Sequence, residues 1–153
     1  MDTPWLRGRV GEALGAGYLM SLGTVDDGGV WVAEVIYVHD DALRIYWMSD
    51  PDTRHSRAIA SHPQVAATIT VHAIGAPNFG LQVSGRAERI NGARHDLAVR
   101  HFLKRRHPAP VETDDVLQGD SWYVLIPEHI ELIDEAHFGF AKQRLAMNGM
   151  ECE

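Results

Sequence analysis

A single cysteine, Cys152, stands in the 153 residues, close to the C-terminus. One thiol makes neither an internal disulfide nor a cysteine-based zinc site. Positive charge is also scarce: the net charge of -7 argues against a nucleic-acid binder, whose domains are usually basic. The opening MDTPWLRGRVGE lacks the basic start and apolar core of a signal peptide. No apolar stretch reaches the roughly 18 residues of a membrane span. Internal repeats and low-complexity segments are missing as well. A cytoplasmic protein with no membrane or nucleic-acid partner is therefore the expectation. With 45% hydrophobic and 23% charged residues, the chain suits one globular domain over residues 1–153.

Catalytic signatures are missing too. The nine histidines (His39, His55, His62, His72, His95, His101, His107, His129 and His137) form no HxH, HxxxH or HExxH pair. His95, His101 and His107 recur every six residues, which is not one helical face, so no metal site is expected. There is no GxSxG elbow, and Walker and Rossmann glycine patterns are absent. The acidic pairs Asp26/Asp27, Asp40/Asp41 and Asp114/Asp115 fall in predicted turns, where aspartate bonds nearby backbone. With no catalytic residue standing out, a cofactor becomes the source of any chemistry.

What is present is a succession of short strands. A helix is predicted over about 4–16, with Thr3 as N-cap and Pro4 at its first position. YLMSLGTV and VWVAEVIYV read as strands joined by the hairpin signal DDGG. After the break HDD comes a third strand, ALRIYWMS, then a helix from about Thr53 to Ser61, stopped by Pro63. QVAATITV and FGLQVSGRAERI are the fourth and fifth strands, with Gly85 predicting a bend or bulge. A second long helix follows, with Asn91 as its N-cap and Lys104, Arg105 and Arg106 suiting its C-terminal dipole. SWYVLIPEHIELID reads as a strand broken at Pro127, and the tail 135–153 shows no clear period. Six or so short strands with a few helices imply a mainly β, α+β fold. A small barrel removes the free edges such strands would leave.

One stretch carries candidate binding residues. In MSDPDTRHSR, residues 48–57, a strand gives way to a helix. A helix N-terminus offers unpaired N–H groups to a phosphate, and here Thr53, Arg54, His55 and Ser56 surround it. Spacing alone leaves two readings open: an anion cradle, or a capped surface helix with solvated arginines.

The sequence resembles the flavin-binding split-barrel superfamily of pyridoxamine 5′-phosphate oxidase. The resemblance rests on LGTVDDGGVWVAEVIYVHDDALRIYWMSDPDTRHSRAIASHPQVAATI, then GLQVSGRAERI, then WYVLIPEHIELID, within a core of about 18–134. SDPDTRHS, IGAPNFGLQ and the late Gly139, Phe140 and Lys142 place it nearest an uncharacterised bacterial branch. The resemblance implies a six-stranded Greek-key split barrel with flanking helices. It further implies a homodimer with FMN in two grooves at the subunit interface. By position, Met48 and Ser49 would line the flavin groove, and Thr53, Arg54 and His55 would hold its phosphate. The oxidase has serine, arginine and lysine at those last three positions, so His55 is a departure. Gln82 lies near a flavin-contacting glutamine, two residues from the strictly aligned Gly80 and on the same strand face.

Two further departures bear on function. The family strand with arginine and lysine along the cofactor is here Val32 to Tyr37, with Glu34 and no base. The C-terminal arginine-x-histidine pair that grips the vitamin substrate is missing, so a different substrate is expected. The implied function is an FMN-dependent oxidoreductase. The alternative is a non-enzymatic module that binds or senses flavin or haem, and a deazaflavin cofactor is also compatible. Whether the tail of one subunit covers the other's flavin is open in the sequence; Phe138, Phe140 and Lys142 are the candidates for such a contact.

Overall fold

The computed structural model describes residues 3–71 and 73–147; His72 and Cys152 lie outside the described residues. Helix α1 (Thr3–Ala16) buries Leu6, Val10, Ala13 and Leu14, spaced three and four apart along one face. Thr3 is already helical rather than ahead of the helix as its cap. The helix ends where Gly17 N donates to Ala13 O (3.0 Å) and the Tyr37 hydroxyl donates to Leu14 O (2.6 Å).

An antiparallel sheet makes up the rest of the frame. Its strands are β1 (Leu19–Asp26), β2 (Gly29–Ile36), β3 (Val38–His39), β4 (Ile45–Ser49), β5 (Gln64–Thr70), β6 (Phe79–Ile90), β7 (Ser121–Asp134) and β8 (Gln143–Leu145). They run in the order β2-β1-β5-β6-β7-β4-β3, with β8 added on β7. The sheet curls until β2 meets β4 without pairing to it, which makes the barrel split. Eight strands replace the expected six because two short ones were not anticipated. Asp40 Oδ1 accepts from Ala42 N and Arg44 N, and Leu43 adopts φ 67°, so the expected third strand begins only at Ile45. Val38–His39 then folds back on Tyr46 and Ile45 as a strand of its own. The expected tail contains β8 and the short α4 (Glu135–Phe138).

The barrel interior holds one apolar cluster that includes Met20, Leu22, Ile45, Trp47, Ile69, Leu81, Leu125 and Ile130. A second cluster lies on the outer side of β4 and β7, where Tyr46, Trp122 and Val124 pack with Leu97 and Ala98 of α3 (His95–Lys104). Helix α2 (Arg54–Ser61) packs against β1 and β6. No helix among the described residues is long and apolar enough to cross a membrane.

Strand β7 runs unbroken through Pro127, and the irregularity is a register shift opposite Ser84/Gly85. This bulge changes which residues face inward. Tyr123 and Leu125 point into the core before it, and Ile130 and Leu132 after it. His129 and Glu131 consequently face outward. Gly85 permits the close approach, since a Cβ there would stand 2.1 Å from Ile126 O. Gly85→Ala is expected to cost about 3 kcal/mol, as overpacking against backbone does. A lower urea midpoint at unchanged slope checks it.

Helix α3 starts later than its sequence suggested. Arg94, at φ 48°, is its N-cap, with no side-chain cap bond, so Asn91 does not cap it. At its far end Lys104 Nζ lies 3.4 Å from the Tyr37 ring centre, and burial draws its pKa down to about 8. His101 is buried edge-on to Trp122, at 5.8 Å between ring centres. Burial pulls its pKa down to about 4. The unfolded chain therefore takes up this proton first. The stabilisation is complete above about pH 6.5 and is lost as pH falls toward about 4. It amounts to about 3 kcal/mol, and Nδ1 has no hydrogen-bond partner to be orphaned by an apolar replacement. His101→Leu is expected to flatten that part of the stability curve, measured by denaturant titration at pH 4, 5, 6 and 7.

Candidate functional site

The turn after β4 is built around Thr53. It is the N-cap of α2, in extended conformation, and its hydroxyl oxygen accepts from Ser56 N (3.3 Å). The same hydroxyl donates to Asp50 O (2.9 Å) and lies 2.7 Å from Ser56 Oγ. Intrahelical bonding starts with Arg57 N to Thr53 O (3.0 Å), so the N–H groups of Arg54 and His55 are free of helical acceptors. His55 Nε2 bonds Ser49 Oγ at 2.9 Å and lies 3.4 Å from Thr53 Oγ1. Burial lowers the His55 pKa, so the ring is neutral at pH 7. Ser49, Thr53 and His55 thus form one network.

Arg54 leaves that network and reaches the β1–β2 hairpin. Its Nε and Nη2 bond Asp26 Oδ2 and Oδ1 at 3.0 and 3.2 Å, and its guanidinium carbon lies 4.4 Å from the Trp31 ring centre. Asp26 is itself fixed by Gly28 N, which donates to Oδ1 at 2.8 Å. The bond from Arg54 holds the Asp26 carboxyl below its ordinary range. Asp26 does the turn work expected of it, but its second role as partner of Arg54 is 28 residues away in sequence and was not foreseen. Arg54 keeps its Nη1 edge free of Asp26, so it can still offer N–H donors to an anion.

Met48 and Gln82 lie elsewhere. Met48 points to the opposite face of β4 from Ser49 and packs with the Trp122 cluster. Gln82 lies on the outer face of β6, in a cavity of about 500 Å³ that holds none of Met48, Ser49, Thr53, Arg54 or His55. Among the described residues, the turn and Gln82 do not share that cavity.

Register explains the shape of that outer cavity. One row runs across six strands as Glu34, Ser21, Thr68, Gln82, Glu131 and Arg144. The adjacent row runs Val32, Gly23, Ala66, Ser84 and His129. The second row has small residues at its centre, so it sinks below the first and forms a trough. The Ser21 hydroxyl donates to Glu34 Oε2 at one end. At the other, His129 Nε2 lies 2.8 Å from Glu131 Oε2, and this bond holds the Glu131 carboxyl below its ordinary range. The pairing of His129 with Glu131 was missed in the sequence. H-x-E within a strand would have signalled it, since residues two apart share a face. Among the described residues no three His, Cys, Asp or Glu side chains gather as a metal site requires.

The residues fit a phosphate-bearing flat cofactor in two parts. The free α2 N–H groups, the Thr53 cap and the open Arg54 edge suit a phosphate. The trough, with Gln82 in its wall, suits a flat ring. The departure at His55 leaves that position without charge.

Comparison with known proteins supplies the lineage. The chain is 29% identical over 133 residues to the UPF0306 protein YhbP of Escherichia coli O157:H7, with 83% of each chain covered. In fold it resembles the conserved hypothetical protein Rv2991 of Mycobacterium tuberculosis, at TM-score 0.75 and 14% identity over 92% of this chain and 89% of that one. It also resembles a heme binding protein of Mycobacterium smegmatis, at TM-score 0.64 and 17% identity over 93% of this chain and 57% of that one. The pyridoxamine 5′-phosphate oxidase family matches residues 7–134, from the first turns of α1 to the end of β7. A match over that much of the chain, on a curled antiparallel split barrel, shows that this protein belongs to the pyridoxamine 5′-phosphate oxidase family.

Proposed function

We propose that the protein is a homodimeric FMN-binding flavoprotein, an oxidoreductase acting on a substrate other than pyridoxamine phosphate. The observation that carries the reading is the α2 N-terminus. Two N–H groups there are free of helical acceptors, Thr53 caps the helix, and Arg54 presents an unused guanidinium edge. Thr53, Arg54 and His55 hold the phosphate in this reading, with Ser49 fixing His55. Met48 and Gln82 are the proposed groove and ring contacts. Gln82 and the α2 turn do not share a cavity in one chain, which is why the reading uses two copies. A bound flavin would supply hydride or electron transfer, and the protein's part is to bind and orient.

Purified protein titrated with FMN is expected to quench flavin fluorescence with one FMN per chain, at micromolar affinity. Folded protein that leaves FMN fluorescence unchanged at those concentrations would falsify the reading. A second reading, a non-enzymatic module for flavin or haem, is favoured by the low charge of the cradle. Asp26 offsets Arg54, and His55 is neutral. The heme binding protein among its structural relatives points the same way. Steady-state turnover with NADH or NADPH and an artificial acceptor separates them: the enzyme reading expects FMN-dependent turnover, the module reading none.

A further inference from the structure

We propose that the C-terminal ends of α1 and α3 together bind a small dianion of the phosphate class, held by Lys104, Arg105 and Arg106. The inference shares no residue with the flavin reading and stands without it.

Three basic residues stand in a row here, in a chain of net charge -7. Capping of α3 does not need them. The helix closes on its own backbone: His107 N donates to Phe102 O (2.9 Å) and Arg106 N to Leu103 O (3.0 Å), the paired bonds of a Schellman end. The left-handed position of such an end usually belongs to glycine, yet here it is Arg106, at φ 62°. Among the described residues none of the three forms an ion pair. Lys104 lies over the Tyr37 ring and Arg105 over that of Phe102, at 3.4 and 4.5 Å from the ring centres. Arg105 Nε is buried with no hydrogen-bond partner. Covered arginines elsewhere have a carboxylate: Arg9 has Asp134 and Arg54 has Asp26. A covered cation without a counter-charge is costly, and an anion arriving from solvent supplies one.

The space for that anion is a cavity of about 490 Å³, walled by Gly15, Gly17 and Tyr18 on one side and by the three cations on the other. A Cβ on Gly15 would meet nothing within 4 Å, so the α1 rim is open. No acidic residue lines the cavity, and three converging positive charges suit a dianion. The net charge of the whole chain argues for a small one, because an extended polyanion would be repelled by the rest of the surface. Lys104 also borders a second cavity, with His39, Asp41 and Arg100. The charged and titratable groups facing it are therefore Tyr18, Tyr37, His39 and Asp41, and on α3 and its end Arg100, His101, Arg105 and Arg106. Burial draws Lys104 down to about 8, raises Tyr37, and lowers His39 and His101. Lys104 thus gives up its proton as pH rises through about 8, while Tyr37, His39 and His101 keep the charge they have at pH 7. Affinity for an anion is present below that pH and declines above it.

Sulfate is the probe, since it is a dianion over this whole range, read by amide shifts of Gly15, Gly17 and Tyr18. Wild-type protein is expected to bind it at pH 7 and about tenfold more weakly at pH 9.5. Lys104→Met keeps a long apolar chain over Tyr37. It should bind sulfate about tenfold more weakly at pH 7 and lose the pH dependence. Arg106→Gly should weaken sulfate severalfold and yet raise the urea midpoint, because glycine is at ease at that φ. Opposite signs in one variant separate a binding role from a structural one. Phenyl phosphate that binds more tightly than inorganic phosphate assigns the site to organic phosphates, and equal affinity assigns it to the free ion; both support the inference. Unchanged sulfate affinity in Lys104→Met or Arg106→Gly overturns it. So does a short DNA duplex that displaces sulfate at micromolar concentration, which marks a polyanion surface instead. FMN titrated in parallel keeps the two readings apart. Protein that takes sulfate here but not FMN retires only the flavin reading, and the reverse result retires only this inference.

Discussion

Arg54→Ala is expected to weaken FMN about 10- to 100-fold and to leave riboflavin affinity nearly unchanged. The two ligands differ only in the phosphate, so the ratio of their losses isolates the contact. Arg54 opens α2, and its guanidinium is held by Asp26 and laid over Trp31, so it enters any complex already ordered. Little side-chain entropy is then lost on binding. Asp26 has a second effect of opposite sign. Its carboxylate sits on Arg54 and would repel a phosphate held by the same guanidinium. Asp26→Asn keeps an oxygen for Gly28 N and Arg54 but removes that charge. It is expected to tighten FMN three- to tenfold, again without effect on riboflavin. Isothermal titration of both ligands against both variants checks the pair. If Arg54→Ala reduces both affinities equally, Arg54 does not touch the phosphate.

Much of this arrangement could be read from the residues, and what could not depends on long-range register. The Thr53 cap and the span of α2 follow from local chemistry, and the alternation in QVAATIT marks β5 with Val65, Ala67 and Ile69 inward. The curled mainly β frame follows from many short strands that cannot leave their edges open. Three features depended on pairing across the sheet. The outward orientation of His129 and Glu131 is set by a bulge opposite Ser84/Gly85, which reverses inside and outside within one strand. The hold of Asp26 on Arg54 needs the β1–β2 hairpin to close over α2. The trough needs Gly23, Ala66 and Ser84 to fall in register, although none is unusual in its own strand. Met48 and Ser49 show how neighbours in sequence part in a strand. Met48 is next to Ser49 in sequence, yet strand alternation turns it to the α3 side of the sheet.

Val32→Asp is the change expected to break the proposed dimer. The outer face of β1 and β2 leaves Leu19, Val25, Val30 and Val32 to solvent, with Val30 and Val32 78% and 59% exposed. Contiguous apolar side chains of that kind on a sheet face mark a covered surface. In a two-fold interface each residue meets the same patch of its partner, so one substitution introduces two charges. Each aspartate would be desolvated without a base nearby, since Val32 is flanked along β2 by Val30 and Glu34. The isolated chain should tolerate the change, because Val32 makes no part of either core cluster. The expected result is a shift from dimer to monomer by light scattering, with circular dichroism unchanged. Val111→Asp provides the control. Val111 is as exposed, at 62%, but lies in the loop between α3 and β7, so the variant should remain dimeric. A Val32→Asp protein that stays dimeric places the interface on another face.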